Sequence, residues 1–151
     1  MRSLALAAAV FVLAGCGSDS NRLSKGSYER QMQAVLGPLN RELTTTSTAI
    51  RDARSRTAAA RDLTRLEHTL DQAAARLDRM RPPQNADPAH RQVIDGLRGY
   101  AKIVGEGKAA LRDRDPEALR EFQGKLGDSA AARRLRRALG RLHDLGYDVG
   151  V

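Results

Sequence analysis

The chain has 151 residues, of which 41% are hydrophobic, enough for one compact domain and hardly enough for two. Aromatic residues make up only 3%, Trp is absent, and 13 Gly and 5 Pro are present, so the composition argues against a sandwich or barrel of short strands and against low-complexity disorder. A single Cys excludes an intramolecular disulfide framework and a CxxC metal site, whereas a formal net charge of +8 suggests a partner rich in negative charge.

The first residues have the pattern of an export signal. Arg2 supplies a basic start, and an almost unbroken apolar run follows over residues 4–13. A stretch of about 11 apolar residues is too short to span the hydrocarbon core of a bilayer, which needs about 20, but it matches the central region of a cleaved signal. We therefore predict that residues 1–15 are a signal peptide.

Leu13, Ala14, Gly15 and Cys16 close this segment in the order of a lipobox. The motif resembles that of bacterial lipoproteins, in which a diacylglycerol is attached to the Cys sulfur and cleavage leaves that Cys as the first residue. The resemblance implies a covalent acyl lipid, such as palmitate, on Cys16 and a location on the extracytoplasmic face of the cell membrane. An unpaired exported thiol would otherwise be open to oxidation. The alternative is an ordinary secreted protein with a chance Cys at the cleavage site.

Residues 16–26 are mostly small or polar, which is typical of a flexible tether. About ten such residues have a root-mean-square reach of roughly 17 Å. We expect them to keep the following domain close to the membrane.

Two apolar seams with helical spacing come next. The first comprises Met32, Leu36, Leu39, Leu43, Thr46, Ile50 and Ala53, and it keeps its phase across Gly37 and Pro38, which predicts a kink in a continuing helix. The second comprises Ala59, Leu63, Leu66, Leu70, Ala73, Leu77 and Met80, and it ends at Pro82 and Pro83. The break between them could fall in the poor helix formers of residues 44–48 or at a phase slip over residues 54–57, and we prefer the slip.

Asp-Pro pairs predict the starts of a third and a fourth helix. Asp87 would be an N-cap with Pro88 at the first helical position, and Asp115 and Pro116 repeat the signal. The third stripe comprises Val93, Ile94, Leu97, Ala101, Val104 and Leu111. The fourth comprises Leu119, Phe122, Leu126, Leu135, Ala138, Leu139, Leu142 and Leu145, with Gly124, Gly127 and Asp128 weakening its middle.

These patterns predict an all-α protein. Four helices of about 25 to 30 residues, each about 40 Å long, would form an up-down-up-down four-helix bundle over residues 27–147, followed by a tail at 148–151.

No catalytic or metal-binding motif stands out. His68, His90 and His143 lie on three segments without HExxH spacing, and we interpret them as solvated or capping residues. The stretch at residues 105–108 resembles part of a phosphate loop, but no strand precedes it and no Ser or Thr follows its Lys. No GxSxG occurs, and capping explains Asp113 and Asp115. We expect no enzymatic activity and no cofactor apart from the acyl lipid.

The last helical segment is basic and amphipathic. Arg133, Arg134, Arg137 and Arg141 lie opposite Leu135, Leu139 and Leu142, with Arg136 nearby. These arginines either form a solvated face or contact anionic phospholipid or an anionic wall polymer. Nucleic acid is not an expected partner, because an exported lipoprotein does not normally meet it.

As a whole the chain resembles the small helical-bundle lipoproteins of uncharacterised function in actinobacteria. The resemblance lies in the lipobox, the LDRMRPP stretch at residues 77–83, His90, and the ending with Gly146 and Tyr147. It implies no catalytic or binding residue. The first hypothesis is a non-enzymatic, membrane-tethered interaction module of the cell envelope, with its protein partner unknown. The alternative is a small-ligand or metal carrier that uses the bundle interior.

Overall fold

A computed structural model describes residues 21–51 and 55–150. The lipobox residues Leu13, Ala14, Gly15 and Cys16 lie outside this part of the chain. The described residues form α1 (Lys25–Arg51), α2 (Arg56–Asp78), α3 (Asp87–Asp113), α4 (Pro116–Asp128) and α5 (Ala130–Asp144). All regular secondary structure in these two ranges is helical, and the all-α prediction is confirmed.

The break between the first two helices lies at the predicted phase slip. α1 continues through Pro38 and through the hydroxyl-rich run at residues 44–48, where Thr44 donates a hydrogen bond to the Asn40 carbonyl at 3.0 Å. α2 begins after the N-cap Ser55, whose hydroxyl accepts a hydrogen bond from the Ala58 amide at 3.2 Å. The hydroxyl-rich run therefore does not end α1, although threonines are poor helix formers.

The start of α3 differs from the prediction by one residue. Ala86 is the N-cap and makes no side-chain capping bond, while Asp87 and Pro88 are the first two helical residues. The Asp87 carboxylate instead lies 3.2 Å from the Arg91 guanidinium, one turn further on. The assignment of Asp87 as an N-cap is therefore wrong, whereas Asp115 does cap α4 and accepts from two amides of its first turn.

The predicted fourth helix is two helices. Ser129 has an extended backbone, with φ −70° and ψ 160°, and its hydroxyl accepts from the Ala132 amide at 3.1 Å to begin α5. An extended residue cannot continue a helix, and Gly124 and Gly127 lower the helix propensity of the residues before it. Both α4 and α5 pack against α3, so together they take the place of one long helix.

Contacts between α2 and α3 show that these helices run in opposite directions. Arg98 of α3 lies 2.9 Å from Asp78 at the end of α2, while Lys108 of α3 pairs with Glu67. The later residue of α3 thus lies beside the earlier residue of α2. This arrangement is compatible with an up-down order of helices.

The predicted seams build the core. Their buried members are Met32, Leu36, Leu39, Thr46, Ala59, Leu63, Leu66, Leu70, Ala73, Leu77, Val93, Ile94, Leu97, Ala101, Val104, Phe122, Ala138 and Leu142. The predicted core positions Ile50 and Ala53 lie outside the described side chains. Leu145 is exposed and its assignment to the core is wrong, because α5 ends at Asp144 and the chain turns at Gly146, with φ 82°, to bury Tyr147 instead.

Residues on both sides of the predicted bundle boundaries pack against the helices. The amide of Leu23 donates to the Arg81 carbonyl at 2.8 Å, just before α1 begins. After Tyr147, the side chain of Val149 is buried and the Asp148 amide donates to Glu29 at 3.1 Å. The packed unit therefore extends beyond residues 27–147 at both ends.

Candidate functional site: an arginine face and an apolar cavity

α5 presents five arginines to solvent on the side opposite its buried residues. Ala132, Ala138 and Leu142 are buried. The exposed residues, which we call the arginine face, are Arg133, Arg134, Arg136, Arg137 and Arg141. All four arginines predicted to contact an anionic surface therefore lie at the surface of one helix.

Asp128 compensates the first part of the arginine face. Its carboxylate lies 3.0 Å from Arg133 and 3.8 Å from Arg136. Both arginines also donate to carbonyl groups at the end of α4, at 2.7 and 3.1 Å. These two side chains help to cap α4 and have a structural role.

The remaining arginines carry uncompensated charge. The side chains of Arg134 and Arg137 have no hydrogen bond or ion pair within the described residues, and the side chain of Arg141 donates only to the neutral amide of Gln92, at 3.2 Å. Residues three and four positions apart on a helix are neighbours, and like charges at this spacing destabilise a helix by a few tenths of a kcal/mol. An anionic partner would relieve that repulsion.

A buried polar cluster joins α1, α2 and α3. The interpretation of His90 as a solvated residue is wrong, whereas its interpretation as a capping residue agrees with its contact to the Leu77 carbonyl in the last turn of α2. His90 is only 2% exposed. Its Nδ1 lies 3.1 Å from the Tyr28 hydroxyl of α1, and its Nε2 lies 2.9 Å from the Leu77 carbonyl of α2. Burial lowers the pKa of His90 and raises that of the Tyr28 hydroxyl. Both ring nitrogens are thus occupied within the protein.

The other polar candidates are at the surface. His68 and His143 are exposed, and His68 contacts Gln72 at 2.8 Å. Residues 105–108 lie inside α3, and their Lys108 pairs with Glu67. Within residues 21–51 and 55–150, no three His, Cys, Asp or Glu side chains come together as a metal-binding group.

An apolar cavity of about 560 Å³ lies between α1, α2, α3 and α4, a feature that the sequence did not predict. Its size falls within the roughly 300–1,000 Å³ of small-molecule sites. Its apolar lining consists of Leu43, Ala59, Leu63, Leu66, Tyr100, Leu111, Leu119, Phe122 and Leu126. The Tyr100 hydroxyl donates to the Leu126 carbonyl at 2.5 Å, so it is occupied within the protein.

Among the described residues, the polar part of the cavity lining carries positive charge only. These residues are Ser47, Ser55, Arg56 and Gln123, and no acidic residue of the described part of the chain is among them. Arg56 is exposed and has no hydrogen bond or ion pair with a described residue. The cavity therefore combines an apolar body with one uncompensated guanidinium group.

The proposed tether enters the domain beside the end of α2. The Arg22 side chain donates to the Pro82 carbonyl at 3.0 Å, and the Leu23 amide donates to the Arg81 carbonyl. None of the helices in the described part of the chain has an apolar stretch long enough to cross a membrane.

In comparisons with known proteins, no family model, curated protein or solved structure matches this chain.

Proposed function

We propose that this protein is a membrane-tethered lipoprotein of the cell envelope that acts as a non-enzymatic helical interaction module. In this proposal an acyl lipid on Cys16 anchors it to the extracytoplasmic face of the membrane. The domain is an up-down-up-down four-helix bundle in which α4 and α5 together form the fourth element. The observation that carries the interaction role is the row of exposed, uncompensated charges at Arg134, Arg137 and Arg141.

The length of chain between lipid and domain supports contact with the membrane surface. Because Arg22 and Leu23 are bonded to the loop after α2, the free tether would run only from Cys16 to Asn21. Five residue steps reach at most about 18 Å when fully extended. A lipid on Cys16 would thus hold the start of α1 near the bilayer, and each Arg near an anionic surface contributes about 1 kcal/mol.

Vesicle binding tests the arginine face with a matched control. The chain from residue 17 onward is compared with Arg134→Gln/Arg137→Gln, which removes uncompensated charges, and with Arg133→Gln/Arg136→Gln, which removes charges near Asp128. Binding to anionic vesicles is expected to fall roughly 30-fold in the first variant, at about 1 kcal/mol per Arg, and less in the second.

Salt dependence provides a second readout. The Debye length falls from about 10 Å at 0.1 M salt to about 3 Å at 1 M, so wild-type binding should fade over this range. Neutral vesicles should bind none of the three proteins. Equal binding of all three proteins to anionic vesicles would show that the arginine face is only solvated, and binding to purified anionic wall polymer alone would identify the polymer as the partner.

The apolar cavity favours a second candidate function, that of a small-ligand carrier. Residues from four helices surround a space of about 560 Å³ whose lining is mostly apolar. Native mass spectrometry of the protein isolated from its own host tests this function. A reproducible mass increase from a bound small molecule is expected, and its absence under gentle conditions would contradict the carrier role.

A further inference from the structure

The cavity between α1, α2, α3 and α4 has a polar and an apolar part. On α2, its lining runs from Arg56 to Leu66. Ten residues of helix correspond to about 15 Å. The polar lining residues Ser47 and Ser55 belong to the end of α1 and the start of α2, as Arg56 does. The lining residues further along α2, Leu63 and Leu66, are apolar and buried. The lining is thus elongated, with its charge at one end of the α2 segment.

Arg56 is the charged residue of this lining. A second guanidinium group, that of Arg114, lines a depression of about 110 Å³ that shares Arg56, Leu111 and Leu119 with the cavity. The acidic residue of that depression, Asp115, uses Oδ1 to accept from the amides that begin α4, at 2.9 and 3.0 Å. Among the described residues that line the depression, the charge is therefore positive on balance.

Arg114 itself has a backbone conformation that is uncommon for its residue type. Its φ of 58° lies in the left-handed region, which favours glycine, and it is the non-glycine residue with positive φ within the described residues. A glycine here would relieve that strain, yet the chain places an arginine at the turn beside the cavity. The backbone amide of Arg114 donates to the Ala110 carbonyl, and its side chain has no hydrogen bond or ion pair with a described residue.

From this arrangement we propose that the cavity binds a single-chain amphiphile with an anionic head, such as a long-chain fatty acid. The acyl chain lies along the leucines between α2, α3 and α4, and the carboxylate lies at Arg56, with Arg114 adding positive charge. A guanidinium group pairs well with a carboxylate, and an elongated apolar lining suits one chain more closely than a flat or branched ligand. The inference rests on the carrier function proposed above and specifies its ligand class.

The acyl lipid proposed for Cys16 is not the occupant. The tether enters the domain beside Arg81 and Pro82, after α2 has ended, whereas Arg56, the charged residue of the lining, lies where α2 begins. The 23 residues of α2 correspond to about 35 Å between these two ends. The tether thus attaches at the opposite end of α2 from Arg56, and an acyl group that is ester- or amide-linked at Cys16 has no free carboxylate for that guanidinium group to bind.

Photolabelling of the full-length lipidated protein, held in an amphipathic polymer, tests the proposal. The probes are a hexadecanoic acid and a hexadecanol, each with a photoactivatable group in the chain, and labelled peptides are mapped by mass spectrometry. The acid is expected to label peptides containing Leu63 or Phe122 about fivefold more than the alcohol, which is the upper range for one exposed ion pair. Arg56→Gln should reduce labelling by the acid to the level of the alcohol, whereas Arg61→Gln, an exposed position outside the cavity lining, should leave it unchanged.

Two results would overturn the inference. The first contradicts anion recognition alone, and the second contradicts the carrier role as well. Equal labelling of the cavity peptides by acid and alcohol, unchanged by Arg56→Gln, would disprove anion recognition while leaving a carrier of neutral ligands. If neither probe labels the cavity peptides, both the carrier function and the anionic ligand are disproved, and a protein segment becomes the candidate occupant of the cavity.

Discussion

The Tyr28 hydroxyl lies 3.1 Å from Nδ1 of His90, so that a hydrogen bond joins the first turns of α1 and α3. The Leu77 carbonyl can only accept, and its contact with Nε2 at 2.9 Å therefore requires that Nε2 carries the proton. Nδ1 is then the acceptor and the Tyr28 hydroxyl the donor. This cluster satisfies every polar atom of two buried side chains, and it connects α1, α2 and α3 where the chain enters the domain.

Removal of the Tyr28 hydroxyl tests this cluster. Tyr28→Phe leaves Nδ1 of His90 buried without a donor, which should lower the free energy of unfolding by about 1–3 kcal/mol. Tyr147→Phe is the matched control, because the Tyr147 hydroxyl donates to Asn85 at 2.7 Å and Asn85 is exposed and can bond to water instead. Urea unfolding of both variants measures the difference. Equal losses would show that the buried bond of Tyr28 contributes no more than the partly buried bond of Tyr147.

The pH dependence of stability should contain a contribution from His90. Burial, the largest cause, lowers the pKa of His90 below its usual value of 6.5 in the folded protein, while the Leu77 bond and the charges of Asp87 and Asp78 oppose that shift. Between the two pKa values the unfolded chain binds more protons, so the free energy of unfolding should fall as pH drops below about 6.5, by at most about 1.4 kcal/mol per pH unit.

Urea unfolding at pH 5 to 8 measures this contribution. His90→Gln should lose the fall in the free energy of unfolding that His90 causes below pH 6.5. His143→Gln, which changes an exposed histidine, should retain this fall. An identical pH profile for wild type and His90→Gln would contradict the assignment.

Two glycines provide a paired test of packing beside the cavity. A Cβ on Gly107 would lie 2.6 Å from the Phe122 ring, so Gly107→Ala should displace that ring and lower the free energy of unfolding by about 1–3 kcal/mol. A Cβ on Gly124, inside α4, meets nothing within 4 Å, and Gly124→Ala should raise stability by about 0.5–1 kcal/mol. Thermal unfolding distinguishes the two signs. A stabilised Gly107→Ala variant would show that α4 does not pack on α3 at this point.

The seams of α2 show which features the sequence predicts well. Leu63, Leu66, Leu70 and Leu77 are buried as predicted, because helical spacing alone decides which face of an amphipathic helix leaves water. The break at Ser129 was harder to predict, since a single capping hydroxyl competes with good helix formers on both sides.

Contacts over long sequence distances account for what the sequence did not predict. His90 is in phase with Val93 and Leu97 of the third stripe, and Tyr28 is in phase with Met32 of the first. Their burial could therefore have been read from spacing, but their pairing across 62 residues could not. The cavity depends on how four helices diverge, and helical periodicity carries no information about that.

The lipid anchor gives the last prediction. The wild-type protein should incorporate a labelled fatty acid in its host, and Cys16→Ser should incorporate none, because the only thiol of the chain is removed.

A double variant, Leu13→Ala/Cys16→Ser, places small residues at the cleavage site of an ordinary secretory signal and should release the protein from the membrane. Its circular dichroism and thermal unfolding should match those of the wild type, since both positions lie outside residues 21–51 and 55–150, which form the helices and the core. Fractions are washed at high salt, which removes protein bound only through the arginine face. A wild-type chain without label would refute the lipoprotein proposal, and a double variant that stays bound after the wash would require a membrane attachment other than the acyl lipid.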